Sequence, residues 1–198
     1  MGNNRDEKRA ALKTRLVDAA EALIAENGLR GLKARDITAK AGCALGALYT
    51  AVDGLDDLIV LVNSRTLTRL GEQSVATIPA DMPAEQKMHA MGQVYAKFAL
   101  EHANLWSALF IHRLPDGQKS PDWHRDEFVG LIQLIVAPLA ELRPDLEGET
   151  LLYRAQTLFA AVHGVVQLSI HGFEIGAPED RLFEEVDELV SAMMRGIG

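Results

Sequence analysis

The chain has a single cysteine in 198 residues. No internal disulfide can form, which suits a reducing, cytoplasmic compartment. Cys43 itself reads as a small, buried or half-buried filler rather than a nucleophile. Long apolar runs are also missing. The longest, LIVLV and LIQLIVAPLA, fall far short of the roughly 20 residues that cross a bilayer, so no membrane partner is expected. The start, MGNNRDEKRA, is polar and no apolar core follows it, so no secretory signal is expected. Aromatic residues make up 6% of the chain and β-branched runs are short. Alanine, leucine and glutamate are common, which makes helix the expected structure. Positive charge is scarce: 20 Lys and Arg stand against 28 Asp and Glu, a net charge of −8. The sum argues against a nucleic-acid partner; its distribution does not. Residues 1–50 hold nine Lys/Arg and six Asp/Glu, a balance of +3, and residues 51–198 hold eleven and twenty-two, a balance of −11. A mildly basic head on an acidic body is compatible with DNA binding by the head alone.

What the chain does have is helical periodicity. Leu12, Leu16, Ala19, Ala20, Leu23 and Ile24 form one stripe of a helix over Asp6–Asn27, closed by Gly28. Arg5, Lys8, Arg9, Lys13 and Arg15 make a basic arm at its start. Two short helices follow, Ala34–Ala41 with Ile37 and Ala41 inward and Leu45–Ala51 with Leu48 inward, joined at Gly42. Two short helices about a glycine turn are the helix-turn-helix pattern, spanning about 34–53. A fourth helix runs from near Leu55 toward Ser74, with Asp56 and Asp57 in its first turn, where the helix dipole favours negative charge. After the loop TIPADMPAEQ, the segments Ala84–His102, Asn104–His112, Asp122–Leu142, Glu149–Gly172 and Glu179–Ile197 complete an all-α chain of about nine helices. Pro138 is expected to kink or end the seventh of these.

Catalytic constellations are absent. The six histidines make no HExxH motif and no close pair at metal-ligand spacing; His163 and His171 share a helix face but lie two turns apart. There is no nucleophile elbow, no phosphate-cradling glycine loop and no dinucleotide fingerprint. No catalytic residue, metal ligand or cofactor is therefore expected.

The order of these elements, with Gly28, Asp36-Ile37, Ala41-Gly42, Gly46, Leu48-Tyr49 and Leu58 in register, resembles the tetracycline-repressor (TetR) family of bacterial transcription regulators. The segments VYAKFALEHANLWSALF and AAVHGVV look like one subgroup, in which the penultimate helix carries a His-Gly pair. The resemblance implies an N-terminal three-helix helix-turn-helix DNA-binding domain over residues 11–71 and a C-terminal ligand-binding and dimerisation domain over residues 72–198. It also implies a homodimer paired through the last two helices. A small-molecule effector, unidentified, would enter a cavity in the larger domain, change the spacing of the two heads and release DNA. Carried over by position, Ala44, Leu45, Gly46, Ala47, Tyr49 and Thr50 would face double-stranded DNA. Lys33 and Arg35 would lie near the phosphates, and Lys13 belongs to the basic arm.

The chain departs from the family at several of these positions. Lys33 and Ala44 stand where the family places helix-capping Thr or Ser, and a missing cap costs on the order of 1 kcal/mol. Thr50, Ala51, Val52 and Leu55 replace aromatic, histidine and lysine side chains. Two readings stay open. DNA binding persists through the arm, backbone amides, thymine-methyl contacts and water. Alternatively, the chain is a ligand-sensing or protein-interaction module on the same fold, with weak or lost DNA binding. For the ligand, the candidates are Tyr95, Phe98, Trp106, Phe110, Phe128, Ile132, His163 and Gln167. His163 sits in an apolar helix and needs a partner if buried, either in the core or on a ligand. Gly164 weakens that helix by about 1 kcal/mol relative to alanine and points to a close helix crossing, at a dimer seam for example.

Overall fold

A computed structural model describes the backbone of residues 2–196 and the side chains from residue 4 onward within that range. Ile197, which the periodicity puts on the last helical stripe, lies outside the described residues. These residues form nine α-helices, one 3₁₀ turn and no strand. In chain order the helices are α1 (Gly2–Asn27), α2 (Ala34–Lys40), α3 (Leu45–Ala51), α4 (Leu55–Thr77), α5 (Ala84–Glu101), α6 (Ala103–Ile111), α7 (Asp122–Leu142), α8 (Gly148–Ile170) and α9 (Leu182–Gly196), with the 3₁₀ turn at Glu179–Arg181. None is long and apolar enough to cross a membrane.

The chain divides into two compact units. The first runs to Thr66 and also takes up His102–His124; the second comprises Leu67–Glu101 and the chain from Arg125 on. The division falls inside α4 and returns α6 to the N-terminal unit, whereas the resemblance implies one break at 71/72. Contacts distant in the chain explain the difference. Leu105 and Ala108 of α6 are buried in the same core as Leu16, Ala20, Ile24, Ile37, Leu48, Leu58 and Val62. Asn104 Nδ2 donates to the Ala25 carbonyl at 2.9 Å, and His112 Nε2 lies 2.9 Å from Asp56 Oδ1. Arg65 joins α4 to α1 through Asp18 at 2.6 Å and Glu21 at 3.2 Å.

In the second unit, α5 packs against α8 and α9. Gly92 of α5 is where α9 comes close: a Cβ there would lie 3.0 Å from Val186 Cγ1 and 3.3 Å from Val190 Cγ2. His89 Nδ1 meets Asp187 Oδ1 at 2.6 Å, and Gln93 Nε2 donates to the Phe183 carbonyl at 2.8 Å. α7 does not end at Pro138 but continues through it to Leu142. The proline gives up one hydrogen bond to the preceding turn, and burial of Pro138 with Leu139, which is 1% exposed, holds the last turn in place.

Candidate functional site

In the first unit, the two short helices sort their side chains cleanly. Ile37 and Leu48 are fully buried, with Thr38, Ala51 and Val52 almost so. The turn between them closes as a helix-terminating motif. Cys43 N–H donates to the Thr38 carbonyl at 2.9 Å, and Gly42 N–H to Ala39 at 3.2 Å. Gly42 has φ +67°, a conformation in which a side chain would be strained. Cys43 is half-buried, as a filler should be.

The opposite surface is open. Lys33, Arg35, Ala44, Leu45, Gly46, Tyr49 and Thr50 are exposed, and Ala47 and Lys13 are half-buried. Tyr49 is 63% exposed. The Thr50 hydroxyl donates to the Ala47 carbonyl at 2.7 Å, which spends its proton. Neither Lys33 nor Ala44 makes a side-chain cap, so the first amides of α2 and α3 are left without one. The face therefore offers a tyrosine hydroxyl, methyl and methylene groups, and cations at its edge. Arg5, Lys8, Arg9 and Arg15 along α1 are also exposed.

In the second unit there is an apolar cavity of about 80 Å³ within a recess of about 720 Å³ that is partly open to solvent. Its walls are Leu70 and Ser74 of α4, Met88, Met91, Gly92 and Tyr95 of α5, Leu131, Leu134 and Ile135 of α7, Leu158, Phe159 and Val162 of α8, and Val190 and Met193 of α9. Ser74 Oγ donates to the Leu70 carbonyl at 2.9 Å. Tyr95 Oη is 2.7 Å from His163 Nδ1. The Phe159 ring meets Tyr95 edge-on at 5.4 Å and stacks on His163 at 5.7 Å. Burial pushes the His163 imidazole below its ordinary range, against an opposing hydrogen bond from Gln167 one turn on.

Of the eight ligand candidates, Tyr95 alone is a wall of this cavity. His163 and Gln167 stand behind it, joined to Tyr95 by hydrogen bonding. Phe98 is fully buried core. Phe128 and Ile132 are half-buried on α7, where Leu131, Leu134 and Ile135 take the cavity side instead. Trp106 and Phe110 belong to the first unit, where their rings pack at 5.3 Å. The aliphatic and methionine walls escape a search for aromatic side chains. Their signal is nonetheless present: Met88, Met91 and Tyr95 recur at helical spacing on one face of α5. Gly164 meets nothing within 4 Å of a built Cβ, so no crossing within the chain accounts for it. Among the described residues, no group of three or more His, Cys, Asp or Glu is placed to hold a metal ion.

A helix-turn-helix unit in the same chain as a helical unit with a cavity is the architecture of one broad class of helical regulator. Residues 88–195 match the family described as "Tetracyclin repressor-like, C-terminal domain", and the chain belongs to that family. An uncharacterized HTH-type transcriptional regulator of Mycobacterium tuberculosis (strain ATCC 25618 / H37Rv), Rv0681, is 24% identical over 173 residues, 86% of this chain and 76% of that one. The fold matches a protein of unknown function from Rhodococcus sp. RHA1 with TM-score 0.74, at 23% identity over 93% of this chain and 94% of that one. It also matches RolR in complex with resorcinol, with TM-score 0.69 at 18% identity, covering 98% and 90% of the two chains. A further match is FadR from Bacillus subtilis in complex with stearoyl-CoA, with TM-score 0.68 at 17% identity, covering 93% and 99%.

Proposed function

We propose that the chain is a cytoplasmic, ligand-responsive transcriptional repressor that binds a near-palindromic operator as a homodimer. The observation that carries this reading is the sorting of α2 and α3. Ile37, Thr38, Leu48 and Ala51 are buried, which leaves Leu45, Gly46, Tyr49 and Thr50 outward on a short second helix. That face enters the major groove, where Ala44, Leu45, Gly46, Ala47, Tyr49 and Thr50 meet bases and sugar. Lys33, Arg35 and Lys13 contact phosphates. Phosphate contacts supply affinity, so binding weakens steeply with salt. The functional domains are 11–71 for DNA and 72–198 for effector and dimer, the latter of the subgroup marked by the His163-Gly164 pair.

The dimer forms through α8 and α9. In support, Val165, Leu168, Leu189 and Ala192 line a groove between these helices, and Ile175 beside it is 83% exposed. Gly164, with open space at its Cβ, fits the approach of a partner helix. The effector occupies the apolar cavity of the second unit; RolR and FadR, which share the fold, are known in complex with resorcinol and with stearoyl-CoA. No catalytic role is assigned.

The test is a fluorescence-anisotropy titration of the full chain on its own upstream DNA and on random DNA of equal length, at two salt concentrations. Preference for the upstream DNA, with a slope against salt, supports the reading. No preference even at low salt overturns it and favours the second reading, a sensing or interaction module. That alternative draws on one observation: the exposed face of α3 carries no Arg, Lys, Asn or Gln. Light scattering checks the dimer. The expected particle has twice the chain mass, and Gly164→Leu is expected to shift it toward the monomer.

A further inference from the structure

We infer that the effector is an uncharged, largely apolar molecule. The inference rests on the proposed role of the cavity as the effector site and concerns the chemistry of its walls. Among the described residues, none of the fourteen that line the cavity carries a carboxylate, ammonium, guanidinium or imidazole. A charged group seated among them would lose its water without gaining a counter-ion, at a cost of several kcal/mol.

The two wall hydroxyls are already engaged within the protein. Ser74 Oγ donates to the Leu70 carbonyl, and Tyr95 Oη lies 2.7 Å from His163 Nδ1.

Size points the same way. A cavity of about 80 Å³ is smaller than the roughly 150 Å³ that takes up benzene in a dry protein interior. A larger occupant enters by repacking Met88, Met91 and Met193, whose flexible thioethers adapt to apolar shapes and give nothing to a charge.

The experiment uses the 198-residue chain and three probes of one skeleton: 1-octanol, octanoate and octylammonium. Binding is followed by calorimetry and by the shift in melting temperature. The expected result is saturable binding of 1-octanol, at least tenfold tighter than either ion. It should be lost in Met91→Trp, which fills the cavity, and in Val162→Phe, each first checked for native helix content by circular dichroism. Octanoate or octylammonium binding as tightly as 1-octanol, and lost in the filled variants, overturns the uncharged class and leaves the cavity as the effector site. No binding of any probe, or binding that survives both filled variants, overturns the effector site itself.

Discussion

The two compact units put their chemistry in opposite places. The first buries a continuous core and presents the side chains proposed to face DNA outside it. Leu48 and Tyr49 are adjacent in sequence, yet one is fully buried and the other 63% exposed. The second holds the walls of the proposed effector site inside, where packing is incomplete around Met88, Met91 and Met193. A surface site follows from which side of a helix a residue occupies. An internal site depends on how five helices fail to fill the space between them. The first tolerates changes at the site and not beneath it; the second couples site and stability.

The largest effect should separate the neighbours in α3. Leu48→Ala leaves a void in the core of the first unit and costs about 3 kcal/mol, read by urea unfolding. Tyr49→Ala changes stability by less than about 0.5 kcal/mol while weakening operator binding in the anisotropy titration. Equal losses of stability in the two variants would break the contrast between buried and outward sets.

The next effect lies in the second unit. A Cβ at Gly176 would lie 2.6 Å from the backbone oxygen of Leu168, which no side-chain rotation relieves. Gly176→Ala is expected to cost about 2 kcal/mol as overpacking, seen as a lowered midpoint in chemical unfolding. An unchanged midpoint would show that the segment after α8 moves freely.

A smaller change runs in the favourable direction. Ala44→Ser supplies the missing cap of α3 and should add about 1 kcal/mol. If the first unit is rigidified without altering its face, operator affinity rises or holds. A fall in affinity with higher stability would mean that the uncapped amides themselves contact DNA.

The smallest effect is that of pH on the second unit. Burial lowers the folded pKa of His163 below the ordinary 6.5. Between those two values the unfolded chain holds more protons, so the stability from this residue falls as pH drops through 6.5 and stops falling only below the folded value. His163→Gln, which cannot titrate, should flatten the decline in melting temperature between pH 7.5 and 5.5. An identical decline in both proteins would place the pH response elsewhere.

The legibility of the chain follows the same division. The bounds of α3 and α7 and the buried places of Ile37 and Leu48 were readable, because helical spacing and glycine turns are local properties. Uncapped Lys33 and Ala44 were also readable, since a cap depends on one side chain and the amides beside it. The grouping of α6 with the first unit was not, because it rests on contacts such as Asn104 with Ala25, far apart in the chain. Trp106 and Phe110, ligand candidates by residue type, pack on each other in the first unit.

The stretch from Ala34 to Ala51 shows what sequence alone determines: two short helices, a turn at Gly42 and an apolar set at helical spacing, all set by hydrogen bonds and φ values within a few residues. Tertiary structure alone decided that Met88, Met91, Leu134 and Val162 border empty space while Phe98 does not. The spacing of a stripe tells which side of a helix turns inward. Whether that side meets a neighbour or a void depends on the packing of helices distant in sequence, and no local rule contains that information.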